Sequence, residues 1–208
     1  MNDVKKPLTH RQRQALATQQ LIVATARELF VAQGYVATTM EAIAESAGVA
    51  VSTVYAIFRN KRGILREIRQ TWHRESGQRD IYHDAIQQAD PRQRLALAAH
   101  ATRRQWETGA PMMTIYQGAA AADAEAAAEL EEALNGRRKG IGPFIRDMAE
   151  ANLLRPDLSP DQAVAIFLAL TQSAVYQELV DSAGWSPDAY EAWLVEVLSG
   201  QLLPADPP

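Results

Sequence analysis

Hydrophobic residues recur along this chain at the three- and four-residue spacing of α-helices. Ile22, Ala26 and Phe30 share one such face, and Ile64 and Ile68 share another. No useful length alternates with the period of two that a strand needs, and no Asn-Gly or Asp-Gly hairpin signal occurs. The pattern therefore predicts an all-α protein of about nine helices.

Several helix starts are marked by a capping residue. Asp90, Ser159 and Ser186 each precede a proline at the first helical position. The predicted helices span 11–33, 39–47, 51–58, 61–85, 91–108, 112–119, 122–151, 160–182 and 187–200. Three glycines and a proline within residues 136–143 predict a break or kink in the seventh helix.

Charge is distributed unevenly along the chain. The first 70 residues hold ten Lys or Arg against five acids, whereas the remaining 138 residues carry a formal charge of -9 within the total of -4. A basic first third on an acidic remainder is typical of a small anion-binding domain attached to a larger body. Chance asymmetry of solvated faces is the alternative explanation.

The chain contains no cysteine, which excludes disulfides, thiolate nucleophiles and cysteine-ligated zinc. Residues 1–9 are polar and do not resemble a secretory signal. No stretch approaches the roughly 20 apolar residues that a membrane span needs. We therefore expect a cytoplasmic protein without a membrane partner, with a flexible basic arm at residues 1–10 and a flexible tail at 204–208.

Residues 38–61 carry the strongest local signal. Thr38 is predicted to cap the amide of Glu41, whose carboxylate would reach back to the amide of Thr38. Thr39 and the first-turn amides would lie at a positive helix end that suits a phosphate oxygen. Gly48 can adopt the left-handed geometry that ends one helix before the next begins. The segment therefore predicts a helix-turn-helix.

The second helix of this motif, residues 51–58, is predicted to face a DNA duplex. The hydroxyls of Thr53 and Tyr55 can donate to phosphates, while Val51 and Ser52 would lie nearest to the base edges. Four residues follow that would neutralise or contact the DNA backbone: Arg59, Asn60, Lys61 and Arg62.

These residues stand in a register that one protein family shares. Matching positions include Gly34, Tyr35, Thr38, Thr39, Gly48, Val49, Thr53, Tyr55, Phe58, Lys61 and Leu65. In this register, residues 22–65 closely resemble the tetracycline-repressor (TetR) family of bacterial transcription regulators. The resemblance implies an all-helical homodimer in the bacterial cytoplasm, a repressor that releases a palindromic DNA operator when a small-molecule effector binds.

The resemblance also implies roles for single positions. Thr39, Thr53 and Tyr55 match phosphate contacts of the family, as does Lys61. Ala50 departs from the family pattern because a capping serine is common there, so that cap is missing or comes from Ser52. Ile57 also departs, because a histidine or aromatic residue often touches the DNA backbone there. The predicted DNA-binding residues are Thr38, Thr39, Val51, Ser52, Thr53, Tyr55 and Lys61.

The resemblance divides the chain into a three-helix DNA-binding domain at 11–60 and a larger domain at 61–203, joined by a linking helix. The larger domain is expected to bind the effector and to form the dimer through its last two helices. Burial of the same residues within one subunit is the alternative. The predicted dimer contacts are Phe167, Leu170, Ala174, Leu179, Trp193, Leu194 and Val197.

An effector pocket is expected among the middle helices. Its candidate residues are Trp72, Trp106, Met112, Met113, Tyr116, Phe144 and Phe167. Flexible thioethers beside aromatic rings suit an adaptable apolar site, which suggests an apolar or aromatic effector. Any helical bundle needs similar residues in its core, so an ordinary core is the alternative.

No motif indicates catalysis, a cofactor or a metal. The chain lacks a glycine-rich phosphate loop, a nucleophile elbow and a His-Glu-x-x-His sequence. His73, Asp80, His83 and Asp84 fall along one predicted helix or its end, but a solvated face explains them better than a metal site. A regulator whose larger domain responds to a protein partner is the first alternative function, and an all-helical enzyme is the second.

Overall fold

The computed structural model describes residues 9–205, and all regular structure in that range is helical, which confirms the all-α prediction. The helices are α1 His10–Gln33, α2 Met40–Ser46, α3 Val51–Phe58, α4 Lys61–Glu75, α5 Gln78–Ile86, α6 Pro91–Ala122, α7 Ala124–Glu150, α8 Pro160–Leu170, α9 Ser173–Tyr176 and α10 Pro187–Leu202. A π-helical turn at Gln177–Ser182 continues α9.

The predicted basic arm and tail fall largely outside the described residues. Of residues 1–10, only Thr9 and His10 are described, and they do not form an arm. Thr9 caps α1 in a reciprocal pair with Gln12, and His10 begins the helix. Of the expected tail at 204–208, residues 206–208 lie outside the described range.

Four predictions of where a helix is interrupted or continuous differ from the structure. The predicted helix at 61–85 is interrupted at Gly77, which has a left-handed φ of 63° and separates α4 from α5. The predicted helices at 91–108 and 112–119 form the single helix α6, which continues through Pro111. Of the break or kink predicted in α7, the break does not occur, and Pro143 lies inside the helix. The predicted helix at 160–182 is interrupted after α8.

Tertiary packing explains why the prolines do not end α6 and α7. Ala110 and Met112 on either side of Pro111 are both buried, as are Gly142 and Phe144 on either side of Pro143. Burial of a helix face contributes more to helix stability than intrinsic propensity does. The contacts on both sides of each proline therefore support a continuous helix.

Two clusters of buried side chains make up the interior. The first cluster joins α1, α2 and α3 to the end of α6 and the start of α7. The second cluster contains buried residues of every helix from α5 through α10. Helix α4 belongs to both clusters, since Ile64, Leu65 and Ile68 pack in the first and Trp72 packs in the second. A displacement of α4 would therefore disturb the packing of both clusters.

Polar contacts also attach α4 to α6 and α7. The buried hydroxyl of Tyr116 donates to the carbonyl oxygen of Leu65 at 3.2 Å. Arg62 pairs with Glu125 at 2.6 Å, and Arg66 pairs with Glu129 at 2.5 Å. Exposed ion pairs contribute little singly, so the buried hydrogen bond and the shared core hold α4 in place.

Two of the predicted dimer contacts are wrong. Phe167 and Leu194 are fully buried within one chain, where they complete the second cluster, so neither can reach a partner subunit. The other predicted contacts remain accessible. Ala174 is exposed, and the half-buried residues are Leu170, Leu179, Trp193 and Val197.

Helix length does not imply a membrane span here. Although α6 has 32 residues, no single helix within residues 9–205 is both long and apolar enough to cross a bilayer.

Candidate functional site

Helices α2 and α3 form a helix-turn-helix. The chain bends by 116° between them, within the range of this motif. Gly48 has a φ of +64°, and the amide of Val49 donates to the carbonyl oxygen of Ala44 at 3.0 Å, which closes the end of α2. The predicted role of Gly48 in the turn is thereby confirmed.

The start of α2 differs from the predicted capping box. Thr39, and not Thr38, is the capping residue, and its hydroxyl accepts a hydrogen bond from the amide of Ala42 at 3.0 Å. Thr39 is exposed and stands at the positive end of α2. The predicted cap by Thr38 is wrong because the helix begins one residue later than that pattern requires.

Thr38 instead holds the loop between α1 and α2 together. Its side chain is fully buried, its hydroxyl donates to the carbonyl oxygen of Gly34 at 2.9 Å, and the amide group of Gln33 donates to it at 3.1 Å. This hydroxyl is therefore hydrogen-bonded inside the protein. Thr38 stabilises the loop that precedes α2 and does not face a DNA duplex.

Lys61, at the start of α4, braces the same loop. Its ammonium group donates to the carbonyl oxygens of Tyr35 at 2.5 Å and Thr38 at 2.8 Å, with a longer bond to Val36 at 3.3 Å. It also lies 4.3 Å from the centroid of the Tyr35 ring. Burial lowers the pKa of Lys61, and the nearby Asp123 opposes that shift. A contact from this ammonium to a phosphate would have to compete with these bonds.

Helix α3 exposes the side expected to meet DNA. Val51, Ser52 and Tyr55 are exposed and Thr53 is half-buried, whereas Val54 is fully buried. The Tyr55 side chain is 43% exposed, and its hydroxyl makes only a long 3.4 Å bond to Glu41, so it remains accessible.

The two departures from the family pattern have structural counterparts. Ala50 precedes α3 without any side-chain cap, and Ser52 does not supply one. Ile57 is 37% exposed, which leaves an apolar side chain beside the proposed DNA surface. Helix α3 is therefore held by packing of its buried face and not by a polar cap.

Sequence reasoning missed the tight turn that joins α3 to α4. Arg59 adopts a left-handed φ of 64°, and the Asn60 side chain caps α4 by accepting a bond from the amide of Gly63 at 2.9 Å. A side-chain carbon on Gly63 would lie 2.1 Å from the carbonyl oxygen of Phe58. A glycine in the first turn of a predicted helix is the signal that could have indicated this close approach.

A cavity of about 940 Å³ lies among α4, α5, α6 and α7. Six of the seven residues predicted for the effector pocket line it: Trp72, Trp106, Met112, Met113, Tyr116 and Phe144. Phe167 does not line it because this ring is fully buried, with its centroid 6.3 Å from that of Phe144. The aromatic and methionine residues therefore converge on one space, although they come from different helices.

Sequence reasoning did not assign the polar residues of this cavity to it, and Arg137 was interpreted as part of a solvated basic helix end. Tyr82, Gln105 and Arg137 all line it. Burial raises the pKa of Tyr82 to about 12, so its phenol keeps its proton at neutral pH. Their spacing in sequence does not place them on one predicted face, and only the fold brings them together.

The four side chains considered for a metal do not form a site. Among the side chains that the structure describes, no three His, Asp or Glu residues are grouped closely enough to hold an ion. His73 packs against the Trp72 ring with the two centroids 4.6 Å apart, and burial together with Arg69 lowers its pKa.

A helix-turn-helix packed on a larger helical domain that contains a cavity is typical of one class of DNA-binding regulators. Comparison of this sequence with known protein families identifies one family within this class. Residues 22–68 match the family described as bacterial regulatory proteins, tetR family, which confirms the resemblance seen in residues 22–65. A comparison with curated proteins found no significant match.

Solved structures of similar fold extend the likeness over most of the chain. A protein described as a transcriptional regulator from Saccharomonospora viridis, in complex with choline, has 19% identity and a TM-score of 0.70, with 91% of this chain and 100% of the other covered. SmeT in complex with triclosan has 19% identity and a TM-score of 0.73, with 92% and 99% covered. NalD, the secondary repressor of the MexAB-OprM multidrug efflux pump in Pseudomonas aeruginosa, has 23% identity and a TM-score of 0.72, with 92% and 98% covered. At these identities the likeness establishes the fold of TetR-type regulators.

Proposed function

We propose that this protein is a homodimeric transcriptional repressor that binds a palindromic operator in double-stranded DNA and releases it when a small-molecule effector binds. The exposed face of α3, within a domain that matches the TetR family, is the observation that carries this proposal. In it, residues 11–60 bind DNA and residues 61–203 bind the effector and form the dimer.

The polar groups around α2 and α3 would hold the phosphates. Thr39 stands with the amides at the positive end of α2, and Tyr55 and Thr53 carry hydroxyls on α3. Val51 and Ser52, at the start of α3, would then approach the base edges. Lys61 would act mainly by holding the loop that presents Thr39.

The cavity supports a small molecule as the effector. Its volume of about 940 Å³ is at the upper end of ordinary ligand sites, and aromatic rings line it. This favours a small molecule over the alternative in which the larger domain responds to a protein partner. Similar proteins described as a regulator and a repressor likewise support a regulator over a helical enzyme.

Helix α4 would connect the two functions. Trp72 lines the cavity near the end of α4, while Lys61 braces the DNA-binding domain at its start. A ligand that displaces Trp72 would tilt α4 and alter the spacing of the two α3 helices in a dimer. Such a coupling requires different contacts in two states, which is the general condition for allostery.

The outer faces of α8 and α10 support a dimer. Both helices leave small or apolar residues accessible: Ala165, Ile166, Ala169 and Leu170 on α8, and Ala192, Trp193, Val197 and Gly200 on α10. An apolar surface of this kind is costly to leave in water, and pairing with a second copy would cover it.

Selection of bound sequences from random DNA is the experiment that tests the proposal. We expect palindromic sites with half-sites about one helical turn, or a multiple of it, apart. The affinity should fall steeply as salt concentration rises, because phosphate contacts release counterions. Enrichment of no sequence, or of sites without two-fold symmetry, would contradict the proposed dimeric repressor.

Removal of single hydroxyls from α3 should weaken operator binding. Tyr55→Phe and Thr53→Val each delete one hydrogen bond to a charged phosphate, so we expect about tenfold weaker binding for each. Fluorescence anisotropy with a labelled operator measures the change. Thr108→Val removes a matched hydroxyl from the exposed surface of α6 and should bind like the parent. Parent-like binding by both α3 variants would show that these hydroxyls do not contact DNA.

A charge on the outer face of α8 should dissociate the dimer. Ala169→Glu places a carboxylate in the proposed contact, where its desolvation would strongly weaken association. We expect the mass measured by light scattering to fall to that of one chain, with operator affinity at least tenfold lower. Ala121→Glu, on the exposed side of α6, is the matched control and should leave the mass unchanged. A dimeric Ala169→Glu variant would place the interface elsewhere.

A further inference from the structure

One cation in the cavity wall has no acidic partner. The Nη2 group of Arg137 donates to the carbonyl oxygen of Thr171 at 2.7 Å and to its hydroxyl at 2.6 Å. Its Nε atom is buried and makes no hydrogen bond, and among the side chains that the structure describes no carboxylate lies within 4.0 Å of the guanidinium. Burial lowers the pKa of Arg137, as expected for a cation removed from water without a counter-charge.

Most of the other charged residues around the cavity are also basic. Arg69, Arg74 and Arg79 also line it, whereas Glu132 is its one carboxylate among the described residues. Arg74 pairs with a glutamate of α4 at 3.0 Å, but Arg69 donates only to a backbone carbonyl oxygen at 3.3 Å. The cavity therefore carries an excess of positive charge, which raises the local concentration of anions.

The wall around Arg137 is apolar and aromatic. Its guanidinium carbon lies 5.6 Å from the centroid of the Trp106 ring, and Trp72 and Phe144 line the same cavity. Thr171 engages Nη2 and Nε is buried, which leaves Nη1 to donate a charge-assisted hydrogen bond to one oxygen of a carboxylate. Tyr82 adds a phenol that retains its proton and can also donate.

We propose that the cavity binds an organic carboxylate with an aromatic or long aliphatic body, and that Arg137 holds the carboxylate. The proposal rests on the proposed function only in taking this cavity as the effector site. The carboxylate supplies the counter-charge that Arg137 lacks, and the rings of Trp72, Trp106 and Phe144 cover the apolar body. An amide of the same shape offers no charge and leaves the guanidinium unpaired.

Paired ligands test this assignment on the full chain without DNA. We would titrate 2-naphthoate and decanoate, each against its primary amide, by isothermal titration calorimetry. Each carboxylate that binds should do so at least tenfold more tightly than its amide, and Arg137→Met should reduce the ratio to about one. Arg137→Lys retains the charge and should retain part of the preference. Arg138→Met removes a neighbouring exposed cation of α7 and should keep the parental ratio.

The outcomes that overturn the proposal are specific. They are failure of both carboxylates to bind at millimolar concentration, equal binding of acids and amides, and an unchanged ratio in a folded Arg137→Met protein. A purely structural Arg137, which only holds Thr171, would change the thermal midpoint on substitution but not the ratio. Operator binding is measured separately, so loss of DNA binding would contradict the proposed function and leave the ligand assignment standing.

Discussion

Replacing Gly63 with alanine is expected to destabilise the protein by about 3 kcal/mol, at the upper end for overpacked sites. The new side-chain carbon would lie 2.1 Å from the carbonyl oxygen of Phe58 and 3.1 Å from its carbonyl carbon. These are backbone atoms, which cannot rotate away as a flexible side chain can. The left-handed Arg59 and the Asn60 cap that hold the turn between α3 and α4 would have to shift. We therefore also expect loss of operator binding.

Urea unfolding followed by circular dichroism measures this change. Gly118→Ala is a matched control, because nothing lies within 4 Å of the added carbon on α6. That variant should be more stable than the parent by about 0.5–1 kcal/mol, since alanine favours a helix interior. Equal unfolding midpoints for Gly63→Ala and the parent would mean that the turn does not approach Gly63 as described.

Replacing Lys61 with methionine is expected to destabilise the protein by about 2 kcal/mol. Methionine keeps most of the volume of the stem, but the carbonyl oxygens of Tyr35, Val36 and Thr38 lose their shared donor. The loop that presents Thr39 would loosen, and operator binding would weaken with it. Lys139→Met, on the exposed surface of α7, should change stability by less than about 0.5 kcal/mol.

Two measurements on Lys61→Met separate a brace from a phosphate contact. If Lys61 is a brace, its replacement lowers the free energy of unfolding, which denaturant titration detects in the absence of DNA. If Lys61 only contacts a phosphate, its replacement leaves that free energy unchanged and reduces the slope of log affinity against log salt by about one. An unchanged unfolding curve would therefore contradict the role that the loop geometry assigns to Lys61.

The sequence predicted the helix-turn-helix well because its signals are local. The turn at Gly48, the buried Val54 and the exposed Tyr55 all follow from spacing within some 20 residues. Errors of one residue remained, since either Thr38 or Thr39 could cap α2. The hydrogen bonds of the Thr38 hydroxyl to Gly34 and Gln33 decide between them, and these depend on the loop conformation, which helical periodicity does not predict.

Helix breaks were predicted less well because proline and glycine act together with packing. Pro111 lies inside α6 and Pro143 inside α7, whereas Gly77 ends a helical run that has no proline at all. Intrinsic propensity amounts to about 1 kcal/mol for glycine and about 3 kcal/mol for proline, which burial of a long helix face can exceed. The same limit applies to Phe167 and Leu194, whose apolar character could not distinguish a subunit core from a dimer contact.

From the sequence alone, the helical class and the helix-turn-helix could be determined, because both depend on residue type at short spacing. The aromatic and methionine residues could be proposed only by type, and the fold decided that six of the seven line the cavity. The tertiary structure alone decided which polar groups meet. Arg137 contacts Thr171, which is 34 residues away, and Lys61 contacts the carbonyl oxygen of Tyr35 across 26 residues. Hydrogen bonds and unpaired charges are properties of pairs in space, so no periodicity of one helix can predict them.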